Sequence, residues 1–316
     1  MHPAYSVILF TTASGAGYGL LLLLGLAAAF GLGLPQSTAF GFTALFISLG
    51  LITVGLLSST FHLGHPERSW RAFSQWRSSW LSREGVVAVA TFVPAGLFAA
   101  SWVLAGHFGV FFKAMGLLSA IGAVVTVYCT AMIYASLTTI RQWNNPLVPP
   151  VYLLLALATG SVLFAALMYG FGAGAVWQII LALAALVLAL VAKLAYWRRI
   201  DTEPRDLSAG DATGLGQFGK VRQVEAPHSQ KNFVMLEMGF KVGRKHARKL
   251  RSIFLVIGIG LTIAFLLVAL AGIEPLTTIC LVLAVATVGV GVVVERWLFF
   301  AEAQHVVSLF YGASNA

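Results

Sequence analysis

Two ionisable side chains stand where an otherwise apolar chain can do chemistry. His62 ends one long apolar run and Glu84 begins the next, so both reach the same edge of a membrane on neighbouring spans. Between the runs lies Phe61 to Gly85, FHLGHPERSWRAFSQWRSSWLSREG, with two histidines, four arginines and two glutamates. A histidine titrates near pH ~6.5, so it can hydrogen-bond a carbonyl oxygen and take or give a proton near neutrality. A carboxyl group at a membrane edge, its affinity for the proton raised by partial burial, can pass that proton to water. The pair suits a reactant that changes by two electrons and two protons, as a quinone does. Arg71, Arg77 and His65 are the further candidates in the insert for contact with such a molecule. The structural alternative is His62 bonded to a serine and Glu84 paired with Arg83 or Arg77, and position alone leaves both readings open.

The elements that must position this pair are membrane helices. Of 316 residues, 59% are hydrophobic and 10% charged, a balance foreign to soluble domains. Crossing about 30 Å of hydrocarbon takes about 20 residues at about 1.5 Å each. Eight apolar runs of that order stand at roughly 6–30, 39–61, 85–105, 109–137, 150–170, 175–197, 253–272 and 276–299. The alternating pattern of a membrane β-barrel is absent. The expectation is an all-α integral membrane protein, eight transmembrane helices in a single domain spanning 1–316. The first run lacks a basic leader and is too long for a secretory signal core, so it reads as a retained helix. Its Ser14, Gly15, Gly17 and Gly19 allow close helix approach.

Charge placement orients the bundle. With eight spans, nineteen of the 20 Lys and Arg residues face one side, Lys113 being the exception. By the positive-inside rule that side is the cytoplasm, together with both termini and the 198–252 arm. The net charge of +9 is thus a topology signal and calls for no nucleic-acid partner. In the insert, Trp70, Trp76 and Trp80 can anchor a short surface helix. The arm is too polar to build a core of its own and is expected to lie against a partner. Its last part, Lys241 to Arg251, is a candidate basic juxtamembrane helix facing anionic lipid.

Several chemistries are set aside. Cys129 and Cys280 fall inside predicted spans and are too few to ligate an iron–sulfur cluster or a structural zinc. None of the seven histidines lies mid-span, so no haem and no metal is expected in this chain. GLGQFG, Gly214 to Gly219, matches a dinucleotide fingerprint, but no apolar strand precedes it and no βαβ unit fits around it.

The run HLGHPERSWRAF, the following SWLSREG, and YASLTTIRQWNNPLVPP at the end of the fourth run together resemble the membrane-anchor subunits of dimethyl sulfoxide reductase-type molybdoenzymes. That family is related to the polysulfide reductase anchors, and the likeness covers essentially the whole membrane part. It implies a haem-free anchor in the bacterial inner membrane that docks an iron–sulfur electron-transfer subunit, which contacts a molybdopterin catalytic subunit. In that family the histidine of the His-Leu-Gly element and the glutamate of the Ser-x-Glu element serve the quinol site, and these are His62 and Glu84 here. Within the arm, GLGQFGKVR, EAPHS and MGFKVGRKHARKLR are more similar to the anchors of the cytoplasmic sulfite-oxidising complexes of proteobacteria.

The function expected is exchange of electrons and protons between the quinone pool (ubiquinone or menaquinone) and a cytoplasmic enzyme that oxidises sulfite. Arg71, Arg77 and the arm would supply docking contacts to the iron–sulfur partner. An anchor of a sulfoxide or N-oxide reductase that oxidises quinol is the alternative within the family. A secondary transporter is the alternative of another class, and the scarcity of charges expected near the midplane speaks against it.

Overall fold

The structure is a computed structural model that describes residues 5–62, 65–203, 207–222, 224–225, 230 and 244–311, without the side chains of Phe61 and His62. Among the described residues eight helices are long and apolar enough to cross a bilayer. They are α1 (Tyr5–Phe30), α2 (Thr38–Ser58), α3 (Trp80–Leu104), α4 (Val110–Ala135), α5 (Val148–Gly170), α6 (Val176–Thr202), α7 (Ala247–Ala269) and α8 (Leu276–Ala301). Hydrocarbon offers backbone groups no water to bond, so each span satisfies its N–H and C=O groups within its own helix. An isolated β bridge pairs Ile140 with His305. The eight-span α-helical architecture expected from the sequence is the one observed.

Helix ends depart from the apolar runs for local reasons. Ser79 caps α3, its hydroxyl accepting the Ser82 N–H at 3.4 Å. Helix α3 therefore starts at Trp80, and Glu84 lies a full turn inside it instead of at its first residue. Similarly α7 starts at Ala247, within the basic stretch that precedes the apolar run.

Helix α1 is the centre of the bundle, in contact with α2, α4 and α5. Its most apolar window is 67% buried, as is that of α5, against 33–39% for the other six. Small residues permit this. A Cβ on Gly19 would lie 1.9 Å from the Ala156 carbonyl oxygen, and one on Gly160 would lie 2.2 Å from the Gly19 carbonyl carbon. Gly25 meets the Gly116 backbone of α4 in the same way. In lipid the helices gain nothing by hiding apolar surface from each other, so close backbone contact of this kind is what holds them. Helix α8 packs on α7, α5 and, over a short length, α1, with Gly258 of α7 against Gly291 of α8.

Polar fasteners join the ends of the helices on the insert side. Ser58 donates to the Ser6 carbonyl at 3.0 Å, tying the end of α2 to the start of α1. In the α4–α5 turn, Arg141 donates to the carbonyls of Ile200 and Glu203 at the end of α6. Trp143 Nε1 donates to Phe299 O of α8 at 3.0 Å.

Gly19→Ala is expected to lower the thermal unfolding midpoint of the detergent-extracted protein by the equivalent of about 1–3 kcal/mol, the usual cost of overpacking. Gly50→Ala, where an added Cβ meets nothing within 4 Å, serves as the control and should leave the midpoint unchanged or slightly raised. Differential scanning fluorimetry on both variants checks this.

Candidate functional site

Glu84 is 4% exposed and accepts a hydrogen bond from the Thr130 hydroxyl of α4. Thr130 Oγ1 also lies 3.0 Å from the Thr126 carbonyl. One hydroxyl hydrogen cannot serve both acceptors at once. An ionised Glu84 takes the Thr130 hydrogen, whereas a protonated Glu84 donates to Thr130, which then donates to Thr126. Either state keeps the contact, so the pair can hold a proton or release it without repacking.

No ion pair to Glu84 is found among the described residues. Arg83, the neighbour the structural alternative assigned to it, turns away. Its guanidinium donates to the carbonyls of Trp76 and Arg77 at 3.0 and 2.7 Å and stacks over Trp80 at 4.3 Å.

The insert forms a 3-10 helix, Pro66–Gln75, with every residue exposed and Phe73 resting on Gly85 at the start of α3. Arg71 and Arg77 lie over Trp70 and Trp76, each at 5.6 Å, and His65 Nδ1 meets Glu67 at 3.0 Å. These three side chains form an outer surface and do not converge on Glu84. His62 closes the 3-10 turn Ser59–His62 beside α1; its side chain lies outside the described residues.

Lys193, Glu295 and Arg296 stand near the ends of their apolar runs in the sequence, yet the structure buries all three. Lys193 Nζ meets Glu295 Oε1 at 2.5 Å and Arg296 Nε meets Glu295 Oε2 at 3.1 Å, with side-chain exposures of 1%, 0% and 2%. Aromatic rings complete the enclosure. Lys193 sits over Tyr196 at 4.2 Å and Arg296 over Tyr152 at 3.6 Å. The sequence shows only that Lys193 and the Glu295-Arg296 pair each have apolar residues on both sides, which puts them inside a span without fixing the helix face they occupy.

Between α1, α4, α5 and α8 is a cleft on the same side of the membrane as Glu84. Thr130 and Arg296 both line it, with Thr12, Ser14, Gly15 and Tyr152. Thr12 and Gly15 are partly exposed, so the cleft opens on the outer face of α1. In this form it has room for about one water molecule. The donor set fits a molecule with two carbonyl oxygens: the Glu84–Thr130 pair is reached from one helix, and from another comes a guanidinium whose Nη1 has no hydrogen-bond partner among the described residues. Among those residues no three His, Cys, Asp or Glu side chains gather as a metal site.

The two ends of the arm are fastened to the bundle. Arg251 bridges Asp201 at 2.5 Å and Glu302 at 2.8 Å, and Arg244 Nη2 donates to the Ala303 carbonyl at 2.7 Å. Part of the basic stretch expected to face lipid thus binds the ends of α6 and α8. Burial raises the Glu302 carboxyl above its ordinary range, against the opposing pull of Arg251. The GLGQFG stretch follows a one-turn helix, Ala209–Thr213, capped by Ser208, and contains a 3-10 turn, Gly216–Phe218. The described residues before it include no strand.

The sequence family described as the DMSO reductase anchor subunit (DmsC) matches residues 1–313. The chain is also similar to a sulfite dehydrogenase subunit from Allochromatium vinosum, with 34% identity over 332 aligned positions covering 98% of this chain and 99% of that protein.

Lys193→Met leaves Glu295 with Arg296 alone and is expected to cost about 3–5 kcal/mol, the usual penalty for breaking a buried ion pair. The double variant Lys193→Met/Glu295→Gln should be less damaging than the sum of the two single changes. A double-mutant cycle on thermal unfolding in detergent measures the difference; strict additivity would contradict the pairing.

Proposed function

The chain belongs to the family of DMSO reductase anchor subunits, and from that premise we propose that it exchanges electrons and protons between membrane quinone and its partner enzyme on the cytoplasmic face of a bacterial inner membrane. As an anchor of this family it is the membrane partner of a molybdopterin catalytic subunit and an iron–sulfur subunit. The full-length likeness to a subunit of a sulfite dehydrogenase supports sulfite as the substrate of that enzyme, with quinone as the electron acceptor. The family's own description favours the reverse direction as second reading, quinol oxidation in support of a sulfoxide reductase. The positive-inside distribution supports placing the insert, the arm and both termini in the cytoplasm.

The observation that carries the reading is the buried carboxyl of Glu84, free of ion pairs among the described residues and hydrogen-bonded to a threonine of the cleft. Bound quinone supplies a two-electron, two-proton couple. Glu84 and Thr130 hold a proton at the end of a buried hydrogen bond and move it along that bond, because either protonation state keeps the contact. His62, one turn beyond the end of α2, hydrogen-bonds a carbonyl oxygen in this scheme, in keeping with the His-Leu-Gly element. His65, Arg71 and Arg77, exposed on the insert, suit the iron–sulfur partner better than the quinone. The buried charges Lys193, Glu295 and Arg296 pair with one another and lie toward the insert side, which disfavours a transport site at the midplane.

Glu84→Gln keeps the hydrogen bond and removes the exchangeable proton. In the whole complex it should lower sulfite-dependent quinone turnover by about 10²–10⁴, the usual contribution of a positioned acid or base, with molybdenum and iron contents at the wild-type level. Wild-type turnover by this variant would sink the role given to Glu84.

A further inference from the structure

Arg296 carries a donor that its neighbours do not satisfy. Its Nε is taken by Glu295 at 3.1 Å and its face by the Tyr152 ring at 3.6 Å. Nη1 is buried and has no acceptor among the described residues, although the residue lines the cleft. An unmet donor on a charged group is costly in a low-dielectric interior, and the cost disappears when an acceptor enters.

The charge balance points the same way. Deep in the bundle two cations, Lys193 and Arg296, share the single carboxylate of Glu295. The carboxylates that would balance them, Glu302 and Asp201, are engaged at the helix ends by Arg251. The inner cluster thus favours a ligand atom that carries or gains negative charge.

We propose that Arg296 donates from Nη1 to one carbonyl oxygen of a quinone headgroup seated in the cleft between α1, α4, α5 and α8. The inference rests on the quinone reading above and adds to it the place and a second recognition group. A quinone ring carries carbonyl oxygens at opposite ends. Thr130, with Glu84 behind it, serves one end, and Arg296 serves the other and stabilises the charge that reduction places there. The entrance is the partly exposed edge of α1 at Thr12 and Gly15, where a Cβ on Gly15 would meet no atom within 4 Å. The cleft has room for about one water in this form, so a quinone ring enters only as α1 parts from α8, which touch over only a short length here.

The test uses the purified complex and short-tailed ubiquinone and menaquinone analogues labelled with carbon-13 at a carbonyl. Affinity is read by equilibrium dialysis and the carbonyl stretch by infrared difference spectroscopy. Arg296→Gln should weaken binding at least tenfold and raise the frequency of one carbonyl band, and Arg296→Lys, which keeps the charge beside Glu295, should recover part of both. Gly15→Leu adds bulk at the entrance to the cleft without touching the ion pair and should weaken binding; with Arg296→Lys it carries the test if the Gln variant does not assemble. Unchanged affinity and carbonyl bands in the Arg296 variants overturn the assignment. Wild-type binding by Gly15→Leu places the quinone elsewhere and overturns it too. If the wild-type complex binds neither analogue, the quinone reading itself fails.

Discussion

A charge inside hydrocarbon must bring its partner with it, and this protein is arranged around that constraint. Lys193 on α6 and the Glu295-Arg296 pair on α8 occupy stretches that are otherwise apolar. None of the three could be left alone there without a large loss of stability. Their pairing therefore fixes how α6 and α8 face each other. The enclosing rings of Tyr152, Tyr196 and Phe299 bring α5 into the same arrangement. Removing a partner is costly, yet replacing the whole cluster by apolar residues need not be, since a buried ion pair is weak evidence for stability in itself. Retaining it makes sense where the charges also meet a ligand.

The glycine contacts of α1 do complementary work. Gly19 against Gly160 and Gly25 against Gly116 let the central helix approach α5 and α4 backbone to backbone. Gly15, on the same helix, has no such neighbour. The contrast leaves tight contact deeper in the bilayer and a narrow opening nearer the insert. The cleft, the Glu84–Thr130 pair and the buried charges consequently fall at one level of the bundle, under the surface that carries the exposed tryptophans and arginines. In the proposed scheme that coincidence matters, because electrons would pass between the site and a partner docked on the surface while protons and quinone would be handled just below it.

The arm and the α4–α5 turn hold this end of the bundle together. Arg141 and Trp143 reach the carbonyls at the ends of α6 and α8, and Arg251 binds acids from both helices at once. Residues conspicuous in the sequence as a motif, IRQWNN, prove to be such fasteners. Their contribution to function is indirect: they keep the helix ends, and with them Glu295 and Arg296, in register.

The sequence by itself determined the class and the number of spans, and it put Glu84 near the insert end of one of them. Each follows from local quantities, namely the length of apolar runs, the sidedness of Lys and Arg, and a motif resemblance. It also predicted small residues along α1, though not which of them touch. Only the tertiary structure decided what Glu84 faces. Arg83 is its neighbour in the chain, but Thr130 from α4 is its neighbour in space. Likewise Lys193 and Glu295 stand a hundred residues apart and near the ends of their apolar runs, where either could pass for a residue reaching toward water. Their burial depends on how the helices rotate about their axes, and nearly uniform apolarity around each span leaves that rotation unmarked in the sequence. Packing of glycines and pairing of charges across helices supply it, because both are relations between segments that no single segment contains.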